Sequence, residues 1–447
     1  MQKVNASNLK SPPNSLEAEQ AILASLLLDE RAIDKIIDII EVDDFYYPYH
    51  KLLYATILEL NHENKPLDLV TVVTKLEDKG LLASAGGYEY ISSLVDILPN
   101  ASNIAHYAEI AKEKAILRKL ISLSSEMSEK SFNYSGDINE LLDEAEKNIF
   151  KLAEYKIRNE IKPLSQLITE AFHSLEKLYQ DPGHIAGTPS DFVDLDRITN
   201  GFQSSDFVII AGRPAMGKTA FALNIAINSS TKYKKSVAIF SLEMSAGQLA
   251  QRLIGSEARI DSTKLKNGKL SMEEWQNLAA VAGSLSEAKL FIDDTAAISV
   301  MELRAKCRRI RREHGLDLVI IDYLQLMGGS RAENREQQIS EISRSLKALA
   351  KELNIPIIAL SQLNRSVESR ADKRPYPSDL RESGAIEQDA DLILFLYRDE
   401  VYNKDTKFPG IAEVIISKHR NGPTGVVYLT FLKQFTRFEN SAIESMC

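Results

Sequence analysis

Cysteine is scarce: two thiols, Cys307 and Cys447, stand in 447 residues. They have no metal-type spacing and no partners for a disulfide framework, and so few thiols suit a reducing cytoplasm. No apolar run reaches the roughly 18 residues of a membrane span, so no membrane association is expected. The opening residues MQKVNASNLKSPPNS lack the apolar stretch of a secretory signal. Their Asn, Ser and Pro content reads as a flexible extension over 1–14. Internal repeats of 20–50 residues are also missing. So is an excess of positive charge. The net charge is −9, the wrong sign for a chain that meets nucleic acid with its whole surface. The deficit is local, because residues 1–160 carry 17 Lys/Arg against 27 Asp/Glu and the remainder 37 against 36. Basic loops in the balanced part remain available to face an anion.

The length exceeds one ordinary core and predicts two or three domains. From Leu16 to about Tyr155 the apolar spacing is helical. SLEAEQAILASLLLD begins with Ser15 as cap, with Glu17 and Glu19 in the first turn. Further helices are predicted at 47–62, 68–79, 87–95, 101–132 and 136–155, the last two as an antiparallel hairpin. His50, His62 and His106 are scattered and read as structural. Residues 15–158 thus form a helical interaction domain. A linker follows over 159–184. Its helix, 163–180, carries Leu164, Leu167, Ile168, Phe172, Leu175 and Leu178 on one stripe, which calls for a partner surface. The part 185–447 alternates strand-like and helix-like runs, the pattern of a mostly parallel, twisted α/β sheet with helices on both faces. Strands are predicted at 206–211, 237–241, 289–293, 318–321, 356–360, 392–397, 411–417 and 426–431.

The chemistry begins at Gly212, Arg213, Pro214, Ala215, Met216, Gly217, Lys218 and Thr219. They spell G-x-x-x-x-G-K-[ST] between an apolar strand and a helix. Such a loop cradles phosphates with backbone N–H groups, its lysine reaches the β/γ oxygens, and its hydroxyl holds Mg²⁺. That chemistry calls for a nucleoside triphosphate and Mg²⁺ as cofactors. Three further strand ends carry polar groups. LDLVIIDYLQLM ends an apolar strand on Asp322, an acid for the Mg²⁺ shell or a turn residue. VAIFSLEMS puts Glu243 just beyond its strand, either to polarise an attacking water or to enter a helix capped by Ser245. NIPIIALSQLNR ends on Gln362, an amide for the γ-phosphate or a plain polar loop. Functional groups gather at such carboxyl ends, and the joint occurrence favours a nucleotidase.

Two basic segments remain. PSDLRESGAIEQDAD places Arg381, Glu382 and Gly384 in a loop whose cation and backbone N–H groups suit a phosphodiester track; a solvated loop with internal ion pairs fits equally. SKHRNGPTG puts Lys418, His419 and Arg420 beside an Asn-Gly bend, which a solvated hairpin tip also explains. The more basic MELRAKCRRIRREHG, 301–315, reads as a surface helix with Leu303, Cys307 and Ile310 toward the sheet.

As a set, GRPAMGKT, SLEMS, IDYLQLM, EISRSLKALAKEL, ALSQLNR, DLRESGAIEQDAD and KHRNGPTG resemble the DnaB family of bacterial replicative DNA helicases. The resemblance runs from Ser15 through Phe438 and is weaker in the N-terminal third. It implies a hexameric ring that hydrolyses ATP, moves along single-stranded DNA and unwinds the duplex at the replication fork. It also implies an N-terminal collar that binds primase, helicase loader or initiator proteins as partners, and a bacterial cytoplasm with the nucleoid as its location. By motif match it makes Lys218 and Thr219 ligands of phosphate and magnesium, and Asp322 the second magnesium acid. Glu243 becomes the activator of water, Gln362 the γ-phosphate sensor, and Arg381, Glu382 and Gly384 the DNA-backbone loop. In a ring built head to tail, each subunit's far edge faces the next subunit's site. Arg420 would then be a trans arginine finger, with Lys418 as a second cation. A RecA-class recombination or repair ATPase shares the P-loop core. An ATP-switched scaffold that only holds primase is the non-enzymatic alternative.

Overall fold

The computed structural model describes residues 11–97, 103–136, 185–328, 335–380 and 384–442, with scattered helical positions between 138 and 179. Most of the extension 1–14, the second arm of the predicted hairpin and the linker 159–184 therefore lie largely outside the described residues. Two compact units divide the chain, Met1–Leu164 and Ser165–Cys447.

The first unit is helical, as its periodicity requires. α1 (Leu16–Leu28) starts where Ser15 accepts a hydrogen bond from the Ala18 amide, satisfying one of the orphan N–H groups of the first turn. α2 (Pro48–His62), α3 (Leu69–Asp78) and α4 (Gly87–Val95) surround it. The 30-residue α5 (Ile104–Asn133) packs its first turns on the same core through Ile104, Ala108 and Ala111. Beyond Ala115 its apolar side chains, Leu117, Leu120 and Ile121, are exposed. Lys130 pairs with Glu144 at 2.6 Å across the turn that follows. His50 is a buried structural histidine, held between Glu19 at 2.7 Å and Tyr90 at 2.6 Å. His62 and His106 are exposed, the latter with Glu109 3.8 Å away.

The second unit is built on a nine-stranded sheet in the order β3-β2-β4-β5-β1-β6-β7-β8-β9. The strands are β1 (Phe207–Gly212), β2 (Val237–Ser241), β3 (Leu290–Asp293), β4 (Leu318–Asp322), β5 (Ile357–Gln362), β6 (Leu392–Tyr397), β7 (Ile411–His419), β8 (Gly425–Leu432) and β9 (Arg437–Asn440). β3 through β6 in that order are parallel, and β6 to β9 are antiparallel. Helices cover both faces, which is why the parallel strands read as unbroken apolar runs. In β1, Val208 and Ile210 join Phe221 and Ile225 of the helix Lys218–Thr231. Phe207, Ile209 and Ala211 face the other way, toward Leu303 and Cys307 of the helix Val300–His314 and Leu346 of the helix Arg335–Leu353. Eight strands fall where the sequence predicts them. β7 runs two residues further than expected, so Lys418 and His419 belong to the strand and the bend starts at Arg420. β9 has no counterpart in the sequence reading. Among the described residues no helix is long and apolar enough to cross a membrane.

Candidate nucleotide-hydrolysis site

β1 delivers the chain to Gly212, and the loop closes at Gly217, which caps the helix Lys218–Thr231. Gly217 has φ +98°, and a Cβ there would lie 3.0 Å from the Phe438 ring. Only glycine meets both demands, so the motif's second glycine is required by backbone conformation and by an aromatic floor that arrives from β9. The Lys218 ammonium donates to the Gly212 carbonyl at 2.7 Å. Burial lowers its pKa to about 8, while Asp322 and Glu243 pull the other way. Thr219 Oγ1 donates to Asp322 Oδ2 at 2.7 Å. Asp322 is buried, and loss of solvent raises its carboxyl above the ordinary range while the Thr219 hydrogen bond opposes that shift.

Sheet register brings the other strand ends to the same edge. Ser241 pairs with Asp322, and the Leu242 amide donates to the Asp322 carbonyl at 2.6 Å. Glu243 follows, exposed, with its charge felt by Lys218, Asp322 and Tyr323. Gln362 pairs with Gly212 itself. Gln325 braces that end: its Nε2 donates to Ser361 Oγ at 2.9 Å, and its Oε1 accepts from the Gln362 amide at 3.4 Å. Lysine, hydroxyl, two acids and an amide thus converge where a phosphate chain would lie along the loop.

Arg213 behaves differently from the rest of its motif. Its guanidinium is buried and turns to Glu368 Oε1 at 2.8 Å and the Leu363 carbonyl at 2.9 Å. It ties the loop to the segment after Gln362 rather than reaching into the cradle. That segment in turn pairs Leu363 with Leu380 and donates from the Asn364 amide to the Asp379 carbonyl at 2.9 Å. Gly384 opens the short helix Gly384–Asp389. Arg381 and Glu382 lie outside the described residues.

Three residues at the site have no part in the sequence reading. Arg398 is buried, donates to the Ala215 carbonyl at 3.2 Å and sits 4.0 Å over the Phe431 ring. Its signal was available, since it follows the apolar run LILFLY as Asp322 ends LVIID. Arg252 lies near enough to Asp322 to stabilise its charge. Gln325 sits in the turn after Asp322, inside the stretch IDYLQLM, whose pattern gives it no role of its own.

Lys418 and Arg420 are at the opposite edge. Leu392 pairs with His419 and Tyr397 with Glu413, so β7 ends at the amino edge of the parallel strands. The Arg420 amide donates to the Asp391 carbonyl at 2.8 Å, and the Asp391 amide to the Phe207 carbonyl at 2.9 Å. Arg420 is therefore level with the start of β1. The five steps from Phe207 to Gly212 span about 16 Å at ~3.3 Å per residue, beyond the span of one arginine side chain. Lys418 donates to the Glu387 carbonyl at 2.6 Å.

A P-loop between a buried strand and a helix, with polar strand ends beside it on a RecA-like sheet, defines a nucleoside triphosphatase. The comparisons narrow this class. The DnaB-like helicase C-terminal domain model matches residues 187–440 and the DnaB-like helicase N-terminal domain model residues 11–113. The chain is 48% identical over 431 residues to the replicative DNA helicase DnaB of Geobacillus stearothermophilus, covering 96% of this chain and 95% of that one. It is 46% identical over 435 residues to the replicative DNA helicase DnaC of Bacillus subtilis (strain 168), covering 97% and 96%. A solved DnaB-like replicative helicase, studied with its interactions with primase, superposes with a TM-score of 0.74 at 36% identity over 96% of this chain and all of that one. A second solved structure, an isolated ATPase domain, superposes with a TM-score of 0.60 at 43% identity over 63% of this chain and all of that one. The chain belongs to the DnaB-like helicase family. It is a replicative DNA helicase, an enzyme that drives DNA unwinding with ATP.

Proposed function

We propose that the chain hydrolyses ATP with Mg²⁺ at the Gly212–Thr219 loop and assembles head to tail into a hexameric ring around single-stranded DNA. The observation that carries this reading is the Thr219–Asp322 pair of 2.7 Å at the edge that also holds Lys218, Glu243 and Gln362. The oxygen donors fit Mg²⁺: a hydroxyl and a buried carboxylate are hard ligands. Thr219 and Asp322 would hold it, and it would neutralise charge on the phosphate oxygens.

Within that frame each residue has one task. Lys218 compensates the β/γ charge. Glu243 accepts a proton from the attacking water. Gln362 hydrogen-bonds the γ-phosphate, and its loss is felt along the segment that leads through Leu363 and Leu380 to Arg381, Glu382 and Gly384 on the DNA backbone. Arg420 acts on the neighbouring subunit's ATP, with Lys418 as second cation. Its place about 16 Å from its own P-loop supports the trans reading, because no side-chain motion brings it back across the sheet. The exposed Leu117, Leu120 and Ile121 of α5 and the exposed Leu164, Ile168 and Phe172 support partner contacts for the N-terminal collar and the linker helix. Primase is the partner we assign to the collar, on the strength of the solved relative studied with primase. Loader or initiator proteins place the ring on DNA in the bacterial cytoplasm.

The test is unwinding of a forked duplex with ATP and Mg²⁺, run beside a strand-exchange assay. Fork unwinding with DNA-stimulated phosphate release is expected. Strand exchange without unwinding would favour a recombination ATPase, and nucleotide binding without turnover a switched scaffold.

A further inference from the structure

At the edge of the sheet remote from the P-loop, one carboxylate organises three groups. Asp391 is buried, 3% exposed. Its Oδ2 accepts the Phe207 amide at 2.9 Å and the Lys347 ammonium. Its Oδ1 accepts Arg420 Nη1 at 3.2 Å. Lys347 is itself fixed by the Ser205 carbonyl at 2.9 Å, and Asp206 lies within electrostatic range of Asp391, Lys347 and Arg420. The Arg420 side chain remains 64% exposed. One nitrogen of its guanidinium is pinned inside the edge while the group still faces outward.

With its arginine this exposed to solvent, the pair adds little stability, and Lys347 already balances the Asp391 charge. What the contact does add is direction. An arginine has a long, flexible side chain, and a carboxylate on one nitrogen restricts where the others point. A cation that must meet charge developing in a transition state needs such placement, since a displacement of 1 Å is enough for a loss of about 100-fold.

We propose that Asp391 is the positioning residue for Arg420: its carboxylate orients the guanidinium toward the active site of the adjoining subunit. The proposal rests on Arg420 acting in trans. Asp391 also binds the first amide of β1, so a competing role exists in support of its own P-loop strand. The two roles leave opposite signatures in mixed rings of full-length chains.

The reference mixture is Arg420→Ala with Lys218→Ala. The former keeps its P-loop and the latter its finger, so the mixture should regain ATPase activity. Asp391→Asn alone should bind ATP and form rings normally, with kcat reduced roughly 10- to 100-fold and KM for ATP little changed. Mixed with Lys218→Ala it should regain activity, and mixed with Arg420→Ala it should not. The reverse pattern would assign Asp391 to its own P-loop and overturn the proposal, as would wild-type turnover or a chain that no longer binds ATP or assembles. If the reference mixture itself stays inactive although mass spectrometry shows mixed rings, it is the trans reading of Arg420 that fails. A double-mutant cycle then still tests the pair. Asp391→Asn should have no further effect on kcat in an Arg420→Ala background, and an additive loss there would sever Asp391 from Arg420.

Discussion

Thr219 donates a hydrogen bond of 2.7 Å to Asp322, 103 residues further along the chain. The pair joins the first turn of the P-loop helix to the end of β4 and puts a hydroxyl and a carboxylate on one side of the phosphate loop. Asp322→Asn keeps the shape and removes the charge. ATPase activity should fall on the order of 10²–10³-fold, the usual size of a lost transition-state charge contact. A steady-state assay across a magnesium titration measures it, and an unchanged rate at saturating magnesium would contradict the role.

Glu243 stands exposed two residues beyond Ser241, near Lys218 and Asp322. Glu243→Gln should leave ATP affinity intact and lower kcat by about 10²–10⁴-fold, the range of a lost general base. Nucleotide titration and phosphate release on the same preparation separate the two effects. Wild-type turnover would mean that another group activates the water.

Burial brings the Lys218 pKa down to about 8 in the free enzyme, below the ordinary lysine value of about 10.4. The cation that phosphate needs is complete below that pH and is lost as pH rises through 8. Bound phosphate restores it, so ATP binding takes up a proton above pH 8. Affinity should therefore weaken with rising pH, by up to about tenfold per unit. Fluorescent-nucleotide titrations at pH 7, 8 and 9 check the sign; a flat profile would place the lysine pKa elsewhere.

Gly217→Ala puts a Cβ 3.0 Å from the Phe438 ring at φ +98°. Strained backbone of this kind costs about 1–3 kcal/mol, and the loop should lose nucleotide binding as well. Gly247→Ala is the control, because nothing lies within 4 Å of a Cβ there and the position is helical. It should leave stability unchanged or slightly raised. Thermal unfolding of both variants reads the difference.

Arg381→Ala should weaken single-stranded DNA binding with little dependence on sequence. It should also reduce the salt dependence of log affinity by about 0.7, the share of one phosphate contact on a single strand. Fluorescence anisotropy at several salt concentrations measures the slope. An unchanged slope would move the DNA track, with the basic helix Val300–His314 the first alternative.

Most of the architecture was legible because the central strands are covered on both faces. Continuous runs such as FVIIAG, LVIID and LILFLY, short and bounded by polar residues, suit strands buried on both faces, and the residues at or just beyond their ends, Gly212, Asp322 and Arg398, lie at the functional edge. β9 was not legible. Arg437–Asn440 has a single core residue, Phe438, and is a strand only because β8 offers it an open edge to pair with. Arg213 shows the same limit within a motif, since the motif names the residue but neighbouring loops decide where its guanidinium points.

The amino-acid sequence by itself determined the phosphate loop, the acids and amide at the strand ends, the helical N-terminal part and the family. These are local patterns: a glycine spacing, an apolar period and the residue that ends each run. Only the tertiary structure decided that Phe438 floors Gly217, that Gln325 braces Gln362, and that Asp391 holds Arg420 across 29 residues of chain. Those contacts depend on strand order and on the reversal of direction between β6 and β7. That reversal sends Arg420 to the edge away from its own P-loop, and no local pattern encodes which end of a sheet a hairpin will reach.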